Sequence, residues 1–86
     1  MDNINIKILG AFNTISAFSV VSPIEVNKKF KLNEIEFGDR LMSLKRLRYV
    51  NVEKGDQSPG SSLPNGIYGV SITDDGRQYL KRGKYL

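Results

Sequence analysis

Two helix-start signals standing eleven residues apart, at Ser22 and Asn33, constrain the fold of this chain more than any other feature. In the stretch Ser22 to Val52, SPIEVNKKFKLNEIEFGDRLMSLKRLRYVNV, Ser22 precedes Pro23 and lies three residues before Glu25. That is the pattern of a capping box with proline at the first helical position, where its missing N–H costs nothing. Asn33 with Glu36 repeats the arrangement after only Lys31 and Leu32, so the first helix has about two turns and the connection is very short. Val26 and Phe30 share one face of the first helix and leave Asn27, Lys28 and Lys29 for solvent. In the second helix Phe37, Leu41 and Leu44 recur at four and three, which puts Ile35, Glu36, Asp39, Met42, Ser43 and Arg46 on the opposite face.

Two helices joined by three or four residues make a helix-turn-helix arrangement. Tyr49 to Val52 then read as a strand, the run from Gly55 to Gly66 is rich in Gly, Ser and Pro, and Ile67, Tyr68, Val70 and Ile72 read as a returning strand. A loop of that composition is expected to contribute few buried contacts. Order and spacing resemble the winged helix-turn-helix family, particularly regulators of the MarR and PadR type. The likeness lies in Leu32-Asn33, Leu41-x-x-Leu44, Arg48-Tyr49-Val50, the loop from Gly55 to Gly66, and the pattern Tyr68-Gly-Val-Ser-Ile-Thr73-x-x-Gly76-x-x-Tyr79-Leu80. It covers roughly four-fifths of the chain with loose motifs of apolar spacing and turn residues. The fold it implies is α+β: a three-helix core, a small antiparallel sheet forming the wing, and a C-terminal helix.

The 86 residues suffice for one domain, 1–86, with a single small core. Cysteine and histidine are both absent, which removes disulfides, thiol nucleophiles, imidazole bases and the usual transition-metal sites. No cofactor or metal is expected. The sequence has no run of about 18 apolar residues and no signal-peptide layout at its start, so a cytoplasmic protein without membrane contact is expected. A net charge of +4 is a moderate bias toward polyanions.

At the N-terminal end, Ile4, Ile6 and Ile8 alternate like a strand, while Ile4, Ile8, Phe12 and Ile15 fit a helical stripe. The length from Asp2 to Ala17 and the available caps at Asp2 or Asn3 favour helix, in spite of Gly10. Phe18 to Val21 reads as a short first strand or a connector. Thr73 followed by Asp74 and Asp75 starts a last helix. Lys81, Arg82 and Lys84 complement its other end, and Gly83 suits a left-handed C-cap. Asp74 and Asp75 also invite an acid–base role, but neighbours on a helix diverge by about 100° and capping explains both.

The winged-helix resemblance implies that the second helix of the pair enters the major groove of double-stranded DNA. Its reading face is then Glu34, Ile35, Glu36, Asp39, Arg40 and Ser43. Arg40 suits a guanine edge, Ser43 a base or phosphate, and Ile35 a thymine methyl. Lys28, Lys29, Lys31 and Lys54 are the corresponding phosphate contacts, or else a solvated face. Three of the six reading-face residues are acidic and the loop from Gly55 to Gly66 has no Lys or Arg. This leaves an alternative, a protein-interaction adaptor using Ile35 and Met42, seven residues apart. A DNA-binding transcription regulator of this size is expected to act as a homodimer on paired half-sites. No enzyme is expected, because no nucleophile–base pair or phosphate-cradling glycine loop can be assembled.

Overall fold

The computed structural model of the protein describes residues 1–55 and 62–83. The loop tip with its missing basic residue, and Lys84, lie outside the described residues. Asp2 caps α1 (Asn3–Ile15), its carboxylate accepting from the Ile4 amide at 2.7 Å, so the first segment is helix and not strand. The face that α1 buries is Asn5, Ile8, Leu9 and Phe12. Ile8 and Phe12 belong to the expected stripe, but Leu9 and Asn5 extend the buried face on the other side and leave Ile4 and Ile15 at its exposed margin.

After α1 the chain passes the sheet at one point. Val21 exchanges two backbone bonds with Val70, its amide donating at 2.7 Å and its carbonyl accepting at 2.9 Å. The expected strand Phe18 to Val21 is thereby reduced to a single bridge. Its next ladder position would be Pro23, which has no amide to donate, and Pro23 already opens α2 (Pro23–Phe30). A short turn leads into α3 (Glu34–Arg46). Strands β1 (Val50–Lys54) and β2 (Ile67–Ile72) pair antiparallel, with Val50 opposite Ile72 and Val52 opposite Val70, and the register shifts between Glu53 and Lys54.

Between the strands, Leu63 is only 2% exposed. Its amide donates to Ile67 O at 2.9 Å and its carbonyl accepts from Gly66 N at 2.8 Å, with Gly66 at φ +90°, where only glycine is unstrained. The Gly-Ser-Pro run therefore supplies a core residue, contrary to what its composition suggests. The two backbone bonds hold the turn in place, and its Leu63 side chain is packed into the core.

Thr73 starts α4 (Asp74–Arg82). Its hydroxyl accepts from Gly76 N at 3.0 Å and donates to Arg48 O at 2.7 Å, while its amide donates to Tyr49 O, so one residue caps the helix and closes the neck of the hairpin. Gly83 ends α4 at φ −80°, a right-handed conformation in place of the expected left-handed cap; its amide is satisfied by Tyr79 O without a sign change in φ. Tyr79 stacks on Tyr49 with ring centroids 4.9 Å apart.

One core joins these elements. Ile8, Leu9, Phe12, Val26, Phe37, Leu41, Leu44, Val50, Val70 and Leu80 are buried in it, with Ile72 nearly so. The stripe Phe37, Leu41 and Leu44 lies at zero exposure, as its spacing requires. Phe30 is only half-buried and rests on Phe37 at 6.2 Å between centroids. Three helices around a two-stranded antiparallel wing, with a fourth helix closing the far side, are an α+β winged helix-turn-helix. Among the described residues no helix is long and apolar enough to cross a membrane.

Candidate nucleic-acid interface

The geometry of the helix pair depends on its turn. Lys31 ends α2 in the left-handed region at φ 55°, an unusual conformation for a residue with a Cβ. It is held there by Asn27, whose side chain accepts from Leu32 N at 3.1 Å and donates to Leu32 O at 2.9 Å. Asn27 is accordingly buried, not left to solvent as its place beside two lysines suggests. Asn33 then caps α3, its side-chain oxygen accepting from Ile35 N at 2.8 Å and Glu36 N at 3.4 Å.

Neither expected capping box closes. Ser22 is the N-cap residue of α2, but its hydroxyl makes no capping bond. Glu25 turns instead to Lys28 at 3.1 Å, and Glu36 to Arg40 at 2.9 Å. A cation one turn further on attracts each carboxylate more strongly than a neutral amide does.

The outward stripe of α3 contains Ile35, Asp39, Ser43 and Arg46, with Glu34 and Glu36 exposed at its start. Ile35 is 63% exposed, an isoleucine with no apolar cover. Ser43 donates to Asp39 O at 3.3 Å, and Arg46 reaches Ser43 Oγ at 3.4 Å. Met42, expected beside Ile35 on this stripe, is turned aside and packs partly against the core. The apolar pair proposed for an adaptor surface is therefore reduced to Ile35.

Arg40 is not a free guanine reader. Its guanidinium is engaged by Glu36 at 2.9 Å, by the Asn5 side-chain oxygen at 3.0 Å and by Asp2 at 3.3 Å, with 21% of its side chain exposed. It ties the flank of α3 to the start of α1. The Glu36 carboxylate, followed by Asp2, raises the Arg40 pKa above its usual value. The Ile4 amide, helped by Arg40, holds the Asp2 carboxyl below the usual carboxylate range in spite of partial desolvation.

Around α3 stand the lysines. Lys28, Lys29, Lys31 and Lys54 are all exposed. Lys28 is paired with Glu25, while Lys29, Lys31 and Lys54 have no ion-pair partner among the described residues. A second basic group, Lys45, Arg46 and Arg48, is exposed where α3 meets β1, with Arg48 in the left-handed region at φ 65°. The run Lys45-Arg46-Leu47-Arg48 announces this exposed basic group in the sequence. On the wing side, Asn65 lies so close to Gly38 of α3 that a Cβ there would come within 2.6 Å of its amide nitrogen. The hairpin root therefore seats directly on the candidate reading helix.

No protein-family model matches the chain, and no curated protein matches it in sequence. Among solved structures it is similar to a crystal structure of a mutant MarR from E. coli, with a TM-score of 0.72 at 15% identity. The match covers 95% of this chain and 54% of that one, so the protein spans about half the length of its structural neighbour. At that identity the likeness shows a shared fold alone, the winged helix-turn-helix.

Proposed function

We propose that the protein binds double-stranded DNA as a small winged-helix transcription regulator, with α3 in the major groove. The observation that carries the proposal is the solvent-facing stripe of α3, held at a fixed angle by the Asn27 clamp and flanked by exposed lysines, of which Lys29, Lys31 and Lys54 have no ion-pair partner among the described residues. In this reading Ile35, Asp39 and Ser43 meet base edges, Asp39 accepting from a cytosine amino group and Ile35 touching a thymine methyl. Glu36 and Arg40 act through each other, fixing the helix against α1. Lys28, Lys29, Lys31 and Lys54 meet phosphates, joined by Arg46 at the end of the stripe. The mutant MarR whose fold it shares is consistent with such a role.

The test is titration of a random duplex at rising salt. About five phosphate contacts give a slope of log K against log salt near −4.5, because each released counterion contributes about −0.9. Absence of duplex binding at low salt overturns the proposal. One observation favours a second reading, a protein-interaction adaptor: the exposed first turns of α3 pair Ile35 with the acids Glu34, Glu36 and Asp39, which suits a basic, partly apolar protein surface better than a polyanion. In that case duplex binding is absent and Ile35→Asp removes the protein contact.

A further inference from the structure

Gly38 stands in the interior of α3, where glycine weakens a helix relative to alanine, so its presence there needs a cause. The cause is Asn65. A Cβ at Gly38 would lie 2.6 Å from the Asn65 amide nitrogen, 3.0 Å from its Cγ and 3.2 Å from its Oδ1, so the whole amide plane rests in a notch that a larger residue would fill. The same Oδ1 accepts from Ile67 N at 3.3 Å, two residues on, which is the bond of an Asx turn and holds the amide over α3. That turn accounts for the oxygen alone. The amide nitrogen is buried and meets no acceptor among the described residues, although a buried donor without a partner is unfavourable and uncommon. Asn65 is therefore kept at this place for its shape against Gly38 and not for the energy of a second bond.

Lys54 is joined directly to this seat. It stands opposite Ile67, whose amide is the one that Asn65 accepts, and the next residue, Gly55, donates to Gly66 O at 3.1 Å. The register shift between Glu53 and Lys54 marks a bulge, a device that bends a strand and re-aims the side chains beyond it. The place of Lys54 relative to α3 is thus given by a short series of contacts, from Gly38 through the Asn65 amide to Ile67 and across the ladder. Among the phosphate contacts proposed above, Lys54 alone is carried by the hairpin, while Lys28, Lys29, Lys31 and Arg46 belong to the helix pair and its turn.

We propose that Asn65 is a positioning residue: seated in the Gly38 notch, it fixes Lys54 relative to the outward stripe of α3, so that hairpin and reading helix engage one stretch of duplex together. The proposal rests on the DNA-binding reading for its functional half. Its structural half, the dependence of the hairpin's angle on the notch, does not. A hairpin root held only by its ladder bonds could tilt on α3 and carry its cation out of step with the phosphates that the helix pair meets. A contact of matched shape on the helix itself removes that freedom before the duplex arrives, and preorganisation of this kind saves the ordering cost at binding.

Residual dipolar couplings of the backbone amides of the full chain report the angle between the hairpin and α3 without DNA. In the parent both should fit a single alignment tensor. Gly38→Ala favours helix and presses only on the end of a side chain, so the domain should stay folded while its hairpin turns or loosens against α3. Gly38→Ala combined with Asn65→Ser should restore the parent's angle, because a serine hydroxyl can still accept from Ile67 N and leaves the notch free. On a random duplex, Lys54→Ala should flatten the slope of log K against log salt by about 0.9, one released counterion. Gly38→Ala should flatten it by a similar amount, the two together by no more than either, and the serine double variant should recover it. An unchanged hairpin angle in Gly38→Ala overturns the proposal, as do slope losses that add to about 1.8 or a displaced hairpin that leaves the slope as it was. If the parent binds no duplex, the DNA reading falls with its functional half, and the couplings alone then decide whether Asn65 sets the place of Lys54.

Discussion

Leu63→Ala is the substitution on which composition and structure disagree most. Its neighbourhood, Ser-Ser-Leu-Pro-Asn-Gly, reads as a surface loop, and a leucine there is expected to be replaceable at a cost within about 0.5 kcal/mol. The side chain is instead 2% exposed and belongs to the main core. Truncating a buried leucine costs about 2 to 5 kcal/mol, the spread reflecting how far the site can collapse around the cavity. Collapse is restricted here, because the Leu63 backbone is hydrogen-bonded on both sides, to Ile67 and to Gly66. A loss near 3 kcal/mol is therefore expected. In a domain of this size each 1 kcal/mol lowers the melting temperature by about 4–8 °C, so the variant should melt about 12–24 °C below the parent. Urea denaturation followed by circular dichroism should give a lower midpoint at unchanged slope, the signature of lost stability without a change in the surface exposed. Pro64→Ala, at an exposed neighbour, is the control. A Leu63→Ala protein that melts within about 2 °C of the parent refutes the inward placement of this residue and with it the seat of the hairpin root.

Gly76→Ala should be more damaging than its size suggests, since the new Cβ would lie 2.3 Å from Tyr49 O, a backbone atom that cannot swing away; differential scanning calorimetry should register the loss. Lys28, Lys29 and Lys31 changed together to alanine should weaken binding to every duplex alike and flatten the salt dependence by up to about 2.7 units of slope, as read by anisotropy titration. Asp2→Asn should alter the acid limb of stability: a carboxyl held below its ordinary pKa contributes stability that is present above about pH 4 and lost as pH falls through the folded value, so the variant's melting temperature should vary less with pH below about 4 than the parent's.

What could be read in advance follows the range of the forces involved. Asp2, Asn33 and Thr73 cap their helices as their sequence neighbours suggest, because a cap is settled within about three residues. The stripe Phe37, Leu41 and Leu44 was equally legible, its spacing being the helical repeat itself. The engagement of Arg40 is not legible in the sequence, because its partners Asp2 and Asn5 lie some 35 residues back and only the packed core brings α1 beside α3. Asn27 was assigned to solvent for a similar reason, since its partners are backbone atoms of a turn whose shape no side-chain pattern announces. Leu63 was hidden by its company, as Gly, Ser and Pro report a turn and not which way the intervening side chain points.

Arg77 has a consequence for how the domain assembles. On α4, its guanidinium donates to the carbonyl of Ala17 and to that of Ile72, pairs with Asp74 and covers the Phe18 ring at 4.6 Å from the centroid. It therefore joins the end of α1 to the start of α4 across 60 residues of chain. Closing a contact of such long sequence separation costs more loop entropy than closing a local one, so this clasp is expected to form on the native side of the folding barrier, and Arg77→Ala is expected to speed unfolding while leaving the folding limb of the chevron unmoved. Its strength then sets how slowly the native protein comes apart and hardly affects how quickly it forms. The residence time of the folded state, and its resistance to proteolysis when unfolding limits cleavage, rest in part on a single guanidinium remote from the reading helix.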